Sequence, residues 1–213
     1  MDNYVLDTTS FTEARLRREL GKSSLEETVR EIASILREAR LRLRARFYMT
    51  PSTWSELRRI LLGNTVSLDT VHEVSTWITV KAPDKLSIQI PASIFSEYVA
   101  DIRRRLLKGL RVAESAVRKA AKQCSGEKSE CLGEAIRDLR DKYREATRKG
   151  LVDSVEDLDT ILLALELKGI IVTSDQGIKR LGEQLGIIVI DPVDFVIMMK
   201  RMLKTAKDSM GND

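Results

Sequence analysis

The chain has 213 residues, 43% of them apolar and 32% charged, a balance that excludes a disordered chain and allows one substantial core with an appendage. Its first twenty residues hold no continuous apolar segment, and no later run approaches the roughly 20 apolar residues of a membrane span, so the expectation is a soluble, cytoplasmic protein without a membrane partner. Lysine and arginine outnumber aspartate and glutamate by 36 to 32, a weakly basic excess that suits a polyanionic partner. Only seven residues are asparagine or glutamine, which is compatible with a thermophilic origin.

The opening NYVLD reads as a short apolar strand ending at Asp7, and TTSFTEARLRREL as a helix capped by threonine or serine. Leu25, Val29, Ile32, Leu36, Ala39 and Leu43 mark one face of the next helix. FYMT is a short strand, and Pro51 opens a helix carrying Trp54, Glu56, Leu57 and Ile60. Residues 63–90 predict a helix around His72–Trp77 and an alternating strand at Leu86, Ile88 and Ile90.

From 94 to 122, Ile94, Tyr98, Ile102, Leu106, Ala113, Val117 and Ala120 keep a helical rhythm that Gly109 interrupts only mildly. Leu132, Ile136, Leu139, Tyr143 and Ala146 continue it over about 130–149, giving a long helical hairpin. At 1.5 Å per residue its first helix extends roughly 40–45 Å, beyond what a compact sheet covers. Cys124 and Cys131 in the intervening CSGEKSEC are two reduced thiols or a disulfide clasp; two thiols and a remote His72 make no structural zinc site. A helix from Ser154, a strand at 170–174, a helix through Lys179 and Leu185, the strand GIIVIDP and a helix from Phe195 to Leu203 complete an α/β pattern. The expected architecture is a mainly parallel sheet flanked by helices, interrupted by the hairpin insertion.

The stretch DSVEDLDTILLALELKGIIVTSDQG, residues 153–177, raises the chemical question. Helix N-termini and strand C-termini share one edge of an α/β layer, so Asp153, Asp157, Asp159 and Asp175 can converge there, and Asp7 ends the first strand at such an edge too. Converging carboxylates repel one another unless a cation occupies the site, and oxygen-only ligands favour magnesium or manganese over zinc. Such a site suits phosphodiester hydrolysis. Each acid alone also has a plain structural reading: Asp157 as half of a capping box with Ser154, Asp175 in a turn before Gly177, Asp7 as a helix cap. Arg137, Arg140, Arg144 and Arg148 recur at three and four along the second hairpin helix and form a row suited to phosphates, or a solvated face with local pairs such as Arg144 to Asp141.

The opening YVLDTTSF, the block RDLRDKYREATRKGLVDSVEDLDTILLALELKGIIVTSDQGIKRLGEQLG and the terminal IDP resemble the RNA-free ribonuclease P proteins called HARP, a PIN-domain-like group also known as RNA ligase partner proteins. The resemblance covers nearly the whole chain. It implies a PIN-like metallonuclease that removes the 5′ leader of precursor tRNA with divalent metal and no RNA subunit, its acids falling on Asp7, Asp153, Asp157 and Asp175, with Asp159 as an accessory acid. Members often carry another acid where this chain has Gln176, which puts a fifth contribution from that strand end in doubt; Glu56 is an extra acid by general PIN analogy. The implied organisation is a PIN-like domain over 1–90 and 150–205, a hairpin over 91–149, and a mobile tail over 206–213. Phe95, Val99, Leu107 and Leu110 are surplus apolar residues on the hairpin and predict a homo-oligomer, with the resemblance pointing to dimers joined into larger rings. Two rival readings are another PIN-type ribonuclease of the toxin kind and a non-catalytic RNA-binding partner of a tRNA repair or ligation protein.

Overall fold

The computed structural model describes residues 2–123, 129–147, 152 and 154–210. Its elements are β1 (Asn3–Leu6), α1 (Thr9–Thr12), α2 (Ala14–Leu20), α3 (Leu25–Glu38), a π-helical turn (Ala39–Leu43), β2 (Arg46–Met49), α4 (Pro51–Gly63), α5 (Leu68–Trp77), β3 (Ile78–Val80), α6 (Ala92–Gln123), α7 (Ser129–Thr147), α8 (Val155–Leu167), β4 (Ile170–Val172), α9 (Gln176–Gln184), β5 (Val189–Ile190) and α10 (Pro192–Met210). They divide into two compact units, one of Met1–Ile88 with Ser154–Asp213 and one of Gln89–Asp153. No helix among the described residues is long and apolar enough to cross a membrane.

The first unit is a five-stranded parallel sheet of order β3-β2-β1-β4-β5. A parallel sheet is covered on both faces, so its central strand positions are apolar, with Asn3 and Arg46 at the strand starts and Thr79 on the edge strand as the polar positions. Tyr4, Val5, Leu6, Phe47, Met49, Ile171 and Val172 are all buried accordingly. Tyr4 stacks on Phe47 at 5.7 Å, and Phe195 of α10 meets both rings, at 5.4 and 6.2 Å. Burial, followed by the nearby charge of Asp2, pushes the Tyr4 hydroxyl up to about 12. The chain runs from β1 outward to β3 on one side and resumes with β4 and β5 on the other. The sheet therefore has its topological switch between β1 and β4, where α/β folds bind ligands beyond the strand C-termini.

Three local expectations are corrected. The edge strand is β3, with Ile78 opposite Phe47 and Val80 opposite Met49, whereas Leu86, Ile88 and Ile90 form no strand. There Asp84 takes over the local hydrogen bonding: its carboxylate accepts from the Leu86 N–H at 3.2 Å and its carbonyl from the Ser87 N–H at 3.1 Å. That turn leaves Leu86 99% exposed. The first helix is broken at Glu13, whose extended backbone (ψ 123°) ends α1 and whose side chain caps α2. The last helix continues past Leu203 to Met210, because TAKDSM contains no glycine or proline to stop it.

The second unit is the pair α6 and α7. A Cβ on Gly109 would lie 2.7 Å from the Tyr143 ring and 2.8 Å from the Thr147 methyl, so the two backbones approach closely only because the residue is glycine. Asp101 is buried within α6 and paired with Arg105 at 3.0 Å and Arg104 at 3.4 Å. Lys119 of α6 reaches Asp138 of α7 at 3.3 Å, and the Tyr98 hydroxyl donates to the Val152 carbonyl at 2.7 Å. Cys131 is disulfide-bonded; Cys124 lies outside the described residues.

Candidate active site

Asp7 follows the last residue of β1, and its N–H donates to the Val172 carbonyl at 3.1 Å, extending the ladder to the strand ends. The side chain is nearly buried beside the switch point. Its Oδ2 accepts from the Thr173 hydroxyl at 2.8 Å and the Thr9 hydroxyl at 2.9 Å, so both flanking segments orient one carboxylate. Those hydroxyls are fixed in turn: Thr9 Oγ1 accepts from the Ser174 N–H and Thr173 Oγ1 from the Asp175 N–H, each at 3.0 Å. Ser10 completes the clamp by donating to the Val172 carbonyl at 2.8 Å. Among the described residues, Oδ1 of Asp7 accepts only from the Thr8 hydroxyl, at 3.4 Å.

Asp175 is the N-cap of α9. Its Oδ1 accepts from Gly177 N–H at 2.7 Å and Ile178 N–H at 2.9 Å, while Oδ2 has no partner among the described residues. The plain reading placed Asp175 in a turn before Gly177; the residue caps a helix instead, and the cap leaves one oxygen available. Gln176 is turned to the Ser174 carbonyl at 3.4 Å.

Because α4 starts where β2 ends and α8 leads down to the start of β4, both helices have their N-termini at the same sheet edge as Asp7. Asp157 sits in the first turn of α8, its N–H bonded to the Ser154 hydroxyl at 3.0 Å. It lines an open groove of about 600 Å³ with Glu156 and with Ser52, Glu56 and Arg59 of α4. Buried hydroxyls set the spacing of the two walls: Thr50 and Thr53 lie 2.8 Å apart, and Thr53 is 3.3 Å from Thr160. Glu56 and Asp157 thus face one space.

Other acids are committed elsewhere. Asp159 has Lys85 Nζ 2.6 Å from Oδ1, an ion pair outside hydrogen-bond geometry. One edge further along α8, Glu166 accepts from Lys81 at 2.6 Å and from the Asp84 N–H at 2.8 Å. The Lys81 ammonium, then the Asp84 N–H, hold the Glu166 carboxyl below the usual carboxylate range. Both contacts latch the segment 81–84 to α8. Beyond β5, Asp191 is paired with Arg15 at 2.8 Å and caps the Val193 N–H at 2.9 Å. Arg15 also holds Glu13 at 3.1 Å, and that hydrogen bond lowers the Glu13 carboxyl.

Arg137, Arg140 and Arg144 are exposed on α7 and make no ion pair among the described residues, so the local pair of Arg144 with Asp141 is not formed. Arg148 and Asp153 lie outside the described residues. Among those described, no three Asp, Glu, His or Cys side chains are gathered closely enough to hold a metal ion by themselves.

The model of the PINc domain ribonucleases matches residues 3–204. Proteins named RNA-free ribonuclease P are similar along nearly the full chain: 46% identical in Hyperthermus butylicus, covering 96% of this chain and 90% of that one, and 45% in Aeropyrum pernix, covering 96% and 94%. The protein of that name from Methanothermobacter thermautotrophicus is 39% identical, covering 94% and 96%. The chain belongs to the RNA-free ribonuclease P family of PIN-domain ribonucleases. Open α/β sheets bind ligands at a switch point such as that between β1 and β4, and the α4–α8 groove opens at the same sheet edge. Sequence reasoning passed over Thr9 and Thr173, which orient Asp7, and Glu156 and Arg59, which share the groove with Asp157. The hydroxyls carried a signal in the repeated Asp-Thr-Thr and Thr-Ser-Asp at two strand ends; Arg59 carried none.

Proposed function

We propose that this chain is an endoribonuclease that removes the 5′ leader of precursor tRNA without an RNA subunit, leaving a 5′-phosphate on the mature tRNA. The single observation that carries the reading is the Asp7 carboxylate, held at the β1/β4 switch by hydroxyls from both flanking segments in a PIN-family chain. The donor set is oxygen only, which fits magnesium or manganese, and Asp7, Asp153, Asp157 and Asp175 are the residues that would hold it. When bound, the metal supplies a polarised attacking water and neutralises charge on the leaving oxygen.

The chain's own residues do the rest. Thr9 and Thr173 fix Asp7 in one rotamer, and the α9 N–H groups fix Asp175, so neither carboxylate must be ordered when substrate arrives. Glu56 is an accessory acid across the groove from Asp157. Arg59 offers a guanidinium beside the acids for the scissile phosphate, and Arg137, Arg140, Arg144 and Arg148 form a row for the tRNA backbone. Asp159, paired with Lys85, contributes less to catalysis than the other acids. The hairpin's exposed apolar residues assemble copies of the chain into dimers and larger rings, and the protein works in the cytoplasm.

The test is to incubate the purified protein with magnesium and a precursor tRNA bearing a 5′ leader, then map the cut. One cut producing the mature 5′-phosphate end is the expected result. Scattered or anticodon cuts would indicate a toxin-like PIN ribonuclease, and tight binding without cleavage a non-catalytic RNA-binding partner.

A further inference from the structure

Helix α4 has two working flanks. One presents Glu56 and Arg59 to the acidic groove; the other presents Trp54 and Arg58 to a second open groove of about 620 Å³, whose far wall is Leu68, Asp69, His72 and Ser75 of α5. Nothing in the proposed hydrolysis uses this second groove. Trp54 is partly buried, packed against the core and lining this groove. Its ring N–H has no acceptor among the described residues and is not sealed from solvent, so a ligand can take it. Arg58 and His72 are exposed and have no ion-pair partner among the described residues. Consecutive arginines, Arg58 and Arg59, thus open into different grooves on either side of one helix. A strand leaving the acidic groove meets the second within roughly a helix diameter, about 10 Å.

We propose that the α4–α5 groove binds an unpaired nucleotide of the RNA leader, its base against Trp54 and its phosphate at Arg58. The proposal rests on the ribonuclease reading and adds a second point of attachment to it. An indole face accepts any base by stacking, which suits a leader of varied sequence. The planar guanidinium suits a phosphate, and its neighbour Arg59 continues the same charge toward the acids. Asp69 on the opposite wall repels phosphate and accepts from an exocyclic amine, so the two walls give the nucleotide one orientation: backbone along α4, base edge toward α5. His72 adds a donor on the base-edge side, and the Ser75 hydroxyl, which donates to the His72 carbonyl at 2.7 Å, adds an acceptor.

The chain has two tryptophans, so a Trp77→Phe protein makes Trp54 the only indole. In that protein, with Asp175→Asn added to stop cleavage, leader-bearing precursor tRNA should quench the fluorescence and mature tRNA should not. A short unpaired oligonucleotide of leader sequence should quench by itself at higher concentration. In the Asp175→Asn background, Arg58→Ala should reduce the affinity advantage of precursor over mature tRNA by about tenfold, the scale of one stacked base or charged hydrogen bond. Trp54→Phe, which keeps a smaller aromatic face, should reduce it less. Equal quenching by precursor and mature tRNA, or a leader advantage left intact by Arg58→Ala, would overturn the proposal. If the wild-type protein cuts elsewhere than the mature 5′ end, the ribonuclease P reading falls, whereas quenching by the oligonucleotide still decides the groove.

Discussion

The two units spend their apolar residues differently. In the first unit the stripe of α3 is fully used: Val29, Ile32, Ala33, Ile35 and Leu36 are all buried against the sheet and its neighbours. In the second unit the only buried residues among those described are Asp101, Gly109 and Val152, while Phe95, Val99, Leu107, Leu110, Val117 and Leu132 stay about half exposed or more. Two helices pressed together at a glycine cannot enclose both apolar faces. The α/β unit therefore contains its own stabilisation, whereas the hairpin leaves apolar surface exposed, which is what the proposed assembly of copies would cover.

The most disruptive way to break this contrast is to charge the hairpin surface. Leu107→Asp with Leu110→Asp changes two exposed positions, so the chain should still fold. Light scattering should show a smaller species, and cleavage at the mature 5′ end should be abolished or scattered. An unchanged mass would assign the exposed leucines no role in assembly. A smaller effect is expected from Arg140→Ala with Arg144→Ala, which should weaken precursor binding and lower the slope of log K against log salt by roughly 0.7–0.9 for each phosphate no longer neutralised. An unchanged slope would make the row a solvated face.

The smallest effect belongs to the self-contained core. The Tyr4 hydroxyl is raised to about 12, so between pH 10 and 12 the unfolded chain loses its proton first. Stability should fall across that window by about 2 kcal/mol from this group. Denaturant unfolding of Tyr4→Phe should lack that part of the alkaline loss. An identical pH dependence in both proteins would show that the buried ring does not carry it.

Periodicity made much of this legible. Continuous apolar runs at residues 4–6 and 170–172 are what a doubly covered parallel sheet requires, and the helical rhythm from residue 94, free of proline, announced the hairpin. The misassigned strand at Leu86–Ile90 shows the limit of alternation: LSIQI has the pattern, but Asp84 closes a turn and β3 already occupies the sheet edge. The acids were legible as a set because strand ends and helix starts share an edge. Their separate fates were not, since Lys85 and Arg15 meet Asp159 and Asp191 only through the fold. Likewise, Gly109 read as a mild interruption, and its reason is the Tyr143 ring on the other helix.

The central claim is that carboxylates at the β1/β4 switch perform the hydrolysis. It is tested most directly by single-turnover cleavage of precursor tRNA with Asp7→Asn, Asp157→Asn and Asp175→Asn, each checked for melting temperature and RNA affinity. Asparagine caps a helix as well as aspartate, so Asp175→Asn should keep α9 intact. The account predicts that each variant folds and binds, yet cleaves at least about 100-fold more slowly, because a charged metal ligand is replaced by a neutral one. Cleavage at the normal rate by Asp157→Asn or Asp175→Asn, at the normal position, would contradict it.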